Sequence, residues 1–180
     1  MNARCVAGGL LGTGLLWSGL VGAAGAPTLA VTTPTVALGK LVRGSTNTVF
    51  TVSSSGALSK TSGTGAVVGS TTVTPLVFSI ACSSCGSNQT GSTHKFTFTV
   101  TTGTATGASG VTIGTYGYVS MTRATLSGSA PADANSLSVA FTSVTSWPVT
   151  ITLDFTYTVD TSTTQGASTV PYTAAVTQNY

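Results

Sequence analysis

From residue 27 onward, apolar and polar residues alternate in short runs separated by Gly, Ser, Thr, Asn and Pro. The most regular run is WPVTITLDFTYTVD, residues 147–160. Successive side chains of a β-strand point to opposite faces, so this alternation predicts a strand with one buried face. The residues predicted to face the core are Trp147, Val149, Ile151, Leu153, Phe155, Tyr157 and Val159.

Runs of this kind predict eight or nine strands and no helix after residue 26. Pro75 predicts an edge strand or a bulge, because proline has no amide hydrogen to donate to a ladder. Gly117 predicts a break within its run, and the stretches 103–110 and 161–169 are predicted loops. The runs cover residues 28–33, 35–42, 46–54, 72–82, 94–102, 111–126, 136–142, 147–160 and 170–180.

The number and length of these strands indicate an all-β fold, either an antiparallel β-sandwich of immunoglobulin-like size or a small barrel. The chain has 180 residues, of which 41% are hydrophobic, and this suffices for one core. No repeat of fixed period occurs. One domain, residues 27–180, is therefore predicted.

Residues 1–26 have the order of a secretory signal peptide. Arg4 is followed by an apolar run from Val6 to Val21, and the segment ends in small residues. Export to the periplasm, the cell surface or the medium is therefore expected.

Charged residues make up only 5% of the chain. There is no Glu, and three Asp and one His provide little material for acid–base chemistry. The formal charge of +3 is scattered rather than clustered, so nucleic acid is not an expected partner. The composition predicts a protein that is not an enzyme and that has no cofactor.

Cys82 and Cys85 have the spacing of a thiol redox motif. Redox enzymes place that motif at the start of a helix, whereas the residues after Cys85 have a loop composition. A zinc site built on these cysteines and His94 would lack a fourth ligand. The favoured interpretation is a structural disulfide in an oxidising compartment.

Two other catalytic arrangements are disfavoured by the sequence. His94 is the only possible histidine base, and no G-x-S-x-G motif accompanies it. Asp154 and Asp160 share one face of a predicted strand but lie roughly 20 Å apart along it, too far for a carboxylate pair.

The last run, VPYTAAVTQNY, predicts a terminal strand with one apolar face. Its polar face is built of Thr and Asn, which protect an exposed edge less well than Lys, Pro or inward-pointing charges. A strand of this composition suits pairing with another strand. The residues on its apolar parity are Val170, Tyr172, Ala174, Val176 and Tyr180.

Two stretches of the chain resemble bacterial secreted pilin-like sandwiches, including the spore coat protein U type and chaperone-usher pilins. TVALGKLVRGS, residues 35–45, is similar to their early strand and turn, with Gly39 at the turn. At the other end, Gly166 precedes an alternating strand that finishes in the aromatic residue Tyr180. In chaperone-usher pilins, a strand of this kind is what the periplasmic chaperone recognises.

The resemblance implies a surface-appendage subunit that polymerises by giving an N-terminal strand to the next subunit. The candidate donor is residues 27–36, with Leu29 and Val31 as anchors. Gly166, Tyr172, Val176 and Tyr180 are the implied assembly residues at the other end. The implied partners are copies of the chain, related subunits and a periplasmic chaperone.

Two alternatives remain open at this point. A small outer-membrane β-barrel also ends in an alternating strand with a terminal aromatic residue, and only this alternative involves a membrane. A carbohydrate-binding or adhesive module would use exposed aromatic side chains such as Trp147, Tyr116 and Tyr118.

Overall fold

A computed structural model describes residues 27–31, 35–69, 72–82, 85, 95–107, 109–142 and 144–179. The predicted signal peptide, His94 and Tyr180 lie outside these residues. The strands are β1 (Thr28–Val31), β2 (Thr35–Val42), β3 (Thr48–Val52), β4 (Leu58–Ser62), β5 (Ala66–Val68), β6 (Leu76–Ala81), β7 (Lys95–Thr102), β8 (Thr106–Gly107), β9 (Val111–Thr122), β10 (Thr125–Leu126), β11 (Ser136–Thr142), β12 (Val149–Val159) and β13 (Gly166–Asn179).

The first sheet is built around β12. Strand β9 pairs with residues 150–159 of β12. Strand β6 pairs with residues 149–153 and β3 with residues 155–159. Because β9 occupies one edge of β12, β6 and β3 lie end to end along the other edge. The sheet is extended by β1 next to β6 and by β4 next to β3, and all of these pairs are antiparallel.

The second sheet is built around β13. Residues 172–179 of β13 pair with β7, and residues 168–169 pair with β8. On the opposite side, residues 166–171 pair with β2. The sheet continues through β11 and β10 beyond β7, and through β5 beyond β2. Consequently β1 and β2, which are consecutive in the chain, belong to different sheets.

The core lies between the two sheets. Every second residue of β12 from Val149 to Val159 is buried, as the alternation predicts. Phe78 of the first sheet packs against Phe98 of the second, with ring centroids 4.7 Å apart. The fold is therefore a β-sandwich of antiparallel strands, which confirms the predicted fold class. None of the described residues form a helix long and apolar enough to cross a membrane.

Several boundaries differ from those that the sequence predicts. The stretch between β3 and β6 contains β4 and β5, and the predicted loops at 103–110 and 161–169 contain β8 and the start of β13. Pro75 precedes β6, which is an interior strand between β1 and β12, so the predicted edge strand or bulge is wrong. Strand β9 runs through Gly117 without a break, because bulges on either side of it absorb the irregularity.

Candidate assembly edge

Among the described strands, β13 has hydrogen-bonded partners on both sides in its first half only. Its partner β2 begins at Thr35, which pairs with Pro171. The preceding strand β1 pairs with β6 in the other sheet, although it lies beside β13. Among the described residues, β7 is therefore the one strand paired with residues 173–177, which we call the central edge.

The backbone hydrogen bonds show which groups the central edge presents. The N–H of Gly103 donates to the carbonyl of Pro171 at 2.8 Å, so the carbonyl of Pro171 points to the β7 side. Backbone direction alternates along an antiparallel strand, and the pairing of residues 172–179 with β7 has no irregularity. It follows that Ala174 and Val176 direct their N–H and C=O groups away from β7.

The side chains of the central edge follow the predicted alternation. Ala174 and Val176 are partly buried against the core, whereas Thr173, Ala175 and Thr177 are exposed on the outer face. This face also carries hydroxyls of neighbouring strands; one pair, Thr99 and Ser138, is 3.3 Å apart. The central edge thus has an apolar inner face and a small, uncharged outer face.

Tyr172 anchors the start of this half of β13 on the core. Its ring meets Phe78 edge to face, with centroids 5.5 Å apart. Burial, together with the nearby Tyr116, raises the pKa of Tyr172 to about 12. The phenol is therefore neutral at physiological pH, and it adds no charge to the edge.

Other strand edges carry features that oppose pairing with another chain. Edge strand β4 carries the exposed Lys60, and a charged residue on an edge strand opposes pairing with another chain. The ammonium of Lys60 lies 3.5 Å from the carbonyl of Gly65. Strand β9 has two bulges, and Tyr116 exchanges backbone hydrogen bonds with Ala134 on its outer side. Residues 172–179 contain no charge, no proline and no bulge.

The predicted assembly residues fall on two different sheets. Leu29 and Val31 pair with Ile80 and Phe78 of β6, so the candidate donor strand is paired inside its own chain. Gly166 is the first residue of β13. Tyr172 and Val176 lie on the apolar face of β13, as predicted.

Cys82 and Cys85 form a disulfide, as the sequence predicts. The two residues are 8% and 1% exposed, so the bond is shielded from solvent. Cys82 directly follows β6, and Sγ of Cys85 lies 3.9 Å from Oε1 of Gln178 in β13. The disulfide therefore links two residues three positions apart just after β6, and one of its sulfur atoms contacts β13 of the other sheet.

Asp154 approaches Asp133, a pairing that the sequence did not reveal. Both carboxylates lie next to Gly117. A Cβ atom added to Gly117 would collide with the carboxylate of Asp154 and would lie 3.1 Å from the carboxylate of Asp133. Burial and then the charge of Asp133 raise the pKa of Asp154. The third carboxylate, Asp160, accepts hydrogen bonds from Ser162 and Thr163, and these lower its pKa.

A carbohydrate-binding or adhesive module would need exposed aromatic side chains, but those of Tyr116 and Trp147 do not form an exposed row. Tyr116 is 1% exposed, and its hydroxyl lies 3.1 Å from that of Thr102. Trp147 is partly buried on Phe96, edge to face at 5.4 Å. At Thr102, a neutral cleft of about 550 Å³ opens between the end of β7 and the start of β9 and is lined mainly by Thr, Ser and Asn.

Within the described part of the chain, no three His, Cys, Asp or Glu side chains are grouped closely enough to hold a metal ion. No protein-family model, no curated protein and no solved structure matches this chain. The central edge is therefore the candidate functional site of this chain.

Proposed function

We propose that this protein is a non-catalytic structural subunit of the cell surface that assembles with copies of itself by β-strand addition. The observation that carries the proposal is the central edge of β13, where Ala174 and Val176 direct backbone groups away from β7. In strand addition, the backbone ladder supplies affinity and alternate side chains supply specificity.

The contrast between edges within one molecule supports this function. An exposed, regular strand edge favours aggregation, and proteins usually protect it. This chain has such protection at β4, through Lys60, and at β9, through bulges. The central edge has no charge, proline or bulge, and it is therefore suited to specific pairing.

The scarcity of reactive side chains supports a non-catalytic function. The chain has no Glu and one His, and Cys82 and Cys85 are bonded to each other. Export, a surface location and recognition by a periplasmic chaperone complete the proposal, and they rest on the sequence of residues 1–26 and on the resemblance to pilin-like proteins.

Replacing Ala174 by proline tests the proposal. Proline removes an N–H that points away from β7, so the chain should still fold, but its ring obstructs any strand added at this edge. We expect the A174P variant to remain monomeric in sedimentation velocity at concentrations where the unmodified protein assembles.

The matched control is Ala174→Ser, which changes the side chain and keeps the amide. It should assemble like the unmodified protein. Circular dichroism and thermal unfolding establish that both variants are folded. Assembly of folded A174P to the same extent as A174S would contradict strand addition at the central edge.

A further inference from the structure

We infer that the strand added at the central edge is β13 of a second copy, antiparallel to the first and related to it by a twofold axis at Ala175. This inference rests on the proposed function, because it names the partner for the same edge. It differs from donation of residues 27–36, which the resemblance implies.

The outward backbone groups of the central edge are self-complementary. Ala174 and Val176 each direct one N–H and one C=O away from β7, to the side on which no described strand is paired with them. In an antiparallel pair centred on Ala175, Ala174 lies opposite Val176 of the second copy, and the two residues exchange both hydrogen bonds. The twofold axis repeats this pair, so four hydrogen bonds form between the two strands.

This register is selected by the position of the two outward residues. Registers centred on Ala174 or on Val176 also place outward residues opposite each other and keep partners on the same face of the sheet. In the register centred on Ala174, Ala174 lies opposite Ala174 of the second copy, and Val176 lies opposite Tyr172. In the register centred on Val176, Val176 lies opposite Val176, and Ala174 lies opposite Gln178. Only the register centred on Ala175 pairs Ala174 and Val176 with each other.

The side chains on the outer face fit the same register. Ala175 faces Ala175 of the second copy, where Cα atoms approach to about 4.5 Å and two small side chains fit without a clash. Thr173 faces Thr177 of the second copy, and cross-strand Thr pairs are favourable. Since residues 172–179 carry no charge, two identical edges meet without repulsion.

A partner at the same edge leaves the pairs between the described strands intact. Residues 28–31 already pair with β6, and the hydroxyl of Thr28 donates to the carbonyl of Ala81 at 3.2 Å. Residues 35 and 36 already pair with β13. Donation of 27–36 would break these ladders, whereas pairing at the central edge breaks no pair between the described strands.

Cysteine cross-linking tests the inference. The expected separation at the twofold axis lies within the 4.4–6.8 Å Cα range of disulfides. Under oxidised glutathione, we expect A175C to form covalent dimers at concentrations where the unmodified protein assembles. T173C alone and T177C alone should not, but an equimolar mixture of the two should form mixed dimers. The native disulfide is buried and should not interfere.

The outcomes separate this inference from the proposed function. If A175C does not cross-link although the protein assembles and A174P blocks assembly, the twofold partner is wrong and strand addition stands. Cross-linking of T173C alone would also contradict the register. If the unmodified protein is monomeric at every accessible concentration, the proposed function itself fails.

Discussion

Replacing Phe78 with alanine is expected to lower the free energy of unfolding by about 3–5 kcal/mol. Phe78 is completely buried on β6 and lies between the two sheets. Its ring contacts Phe98 and Tyr172 of the opposite sheet, at 4.7 and 5.5 Å between centroids. Truncation removes these contacts and leaves a cavity that a close-packed core fills poorly. Urea denaturation monitored by circular dichroism measures the loss.

The neighbouring Val77 provides a matched control. It lies on the outer face of the same strand and is 36% exposed. Val77→Ala should change stability by no more than about 0.5 kcal/mol, because it opens no cavity. Equal losses for the two variants would contradict the assignment of the two faces of β6.

Replacing Gly56 with alanine is expected to have the second large effect. Gly56 has φ +81°, and its carbonyl accepts from the N–H of Val73 at 2.8 Å. A left-handed backbone costs alanine about 1–2 kcal/mol. In addition, a Cβ at this position would collide with the carbonyl oxygen of Val73. We therefore expect a loss of stability larger than the backbone conformation alone would cause, measured as the free energy of unfolding in urea.

Gly69 separates the two contributions. It also has a positive φ, +104°, but no atom of the described residues lies within 4 Å of a Cβ built on it. Gly69→Ala should show only the conformational cost of about 1–2 kcal/mol. If Gly56→Ala lowers the free energy of unfolding no more than Gly69→Ala does, this result contradicts the close approach of the Val73 carbonyl to Gly56.

The sequence predicted those strands whose own side chains fill the core. The alternation from Val149 to Val159 is enough to orient β12, and the same holds for β7 and β11. Strand β4, with the sequence LSKTS, has no apolar alternation and is mostly exposed. It is a strand because β3 offers it a partner. Such tertiary pairing leaves no local signal.

The central edge illustrates a second limit of prediction from sequence. The alternation of residues 170–176 predicts the strand and its buried face, and both are observed. Which part of that strand has a described partner on the β2 side depends on where β2 starts relative to Pro171, and on β1 joining the other sheet. The approach of Asp133 to Asp154 likewise depends on the hydrogen bonds between Tyr116 and Ala134. These are contacts between distant parts of the chain.

Amide hydrogen exchange tests strand addition at the central edge most directly. The N–H groups of Ala175 and Thr177 point to β7, whereas those of Ala174 and Val176 point away from it. When the protein is concentrated until it assembles, we expect Ala174 and Val176 to become protected, while Ala175 and Thr177 keep the protection they have in the monomer. Assembly that leaves the exchange of Ala174 and Val176 unchanged would contradict the proposed function.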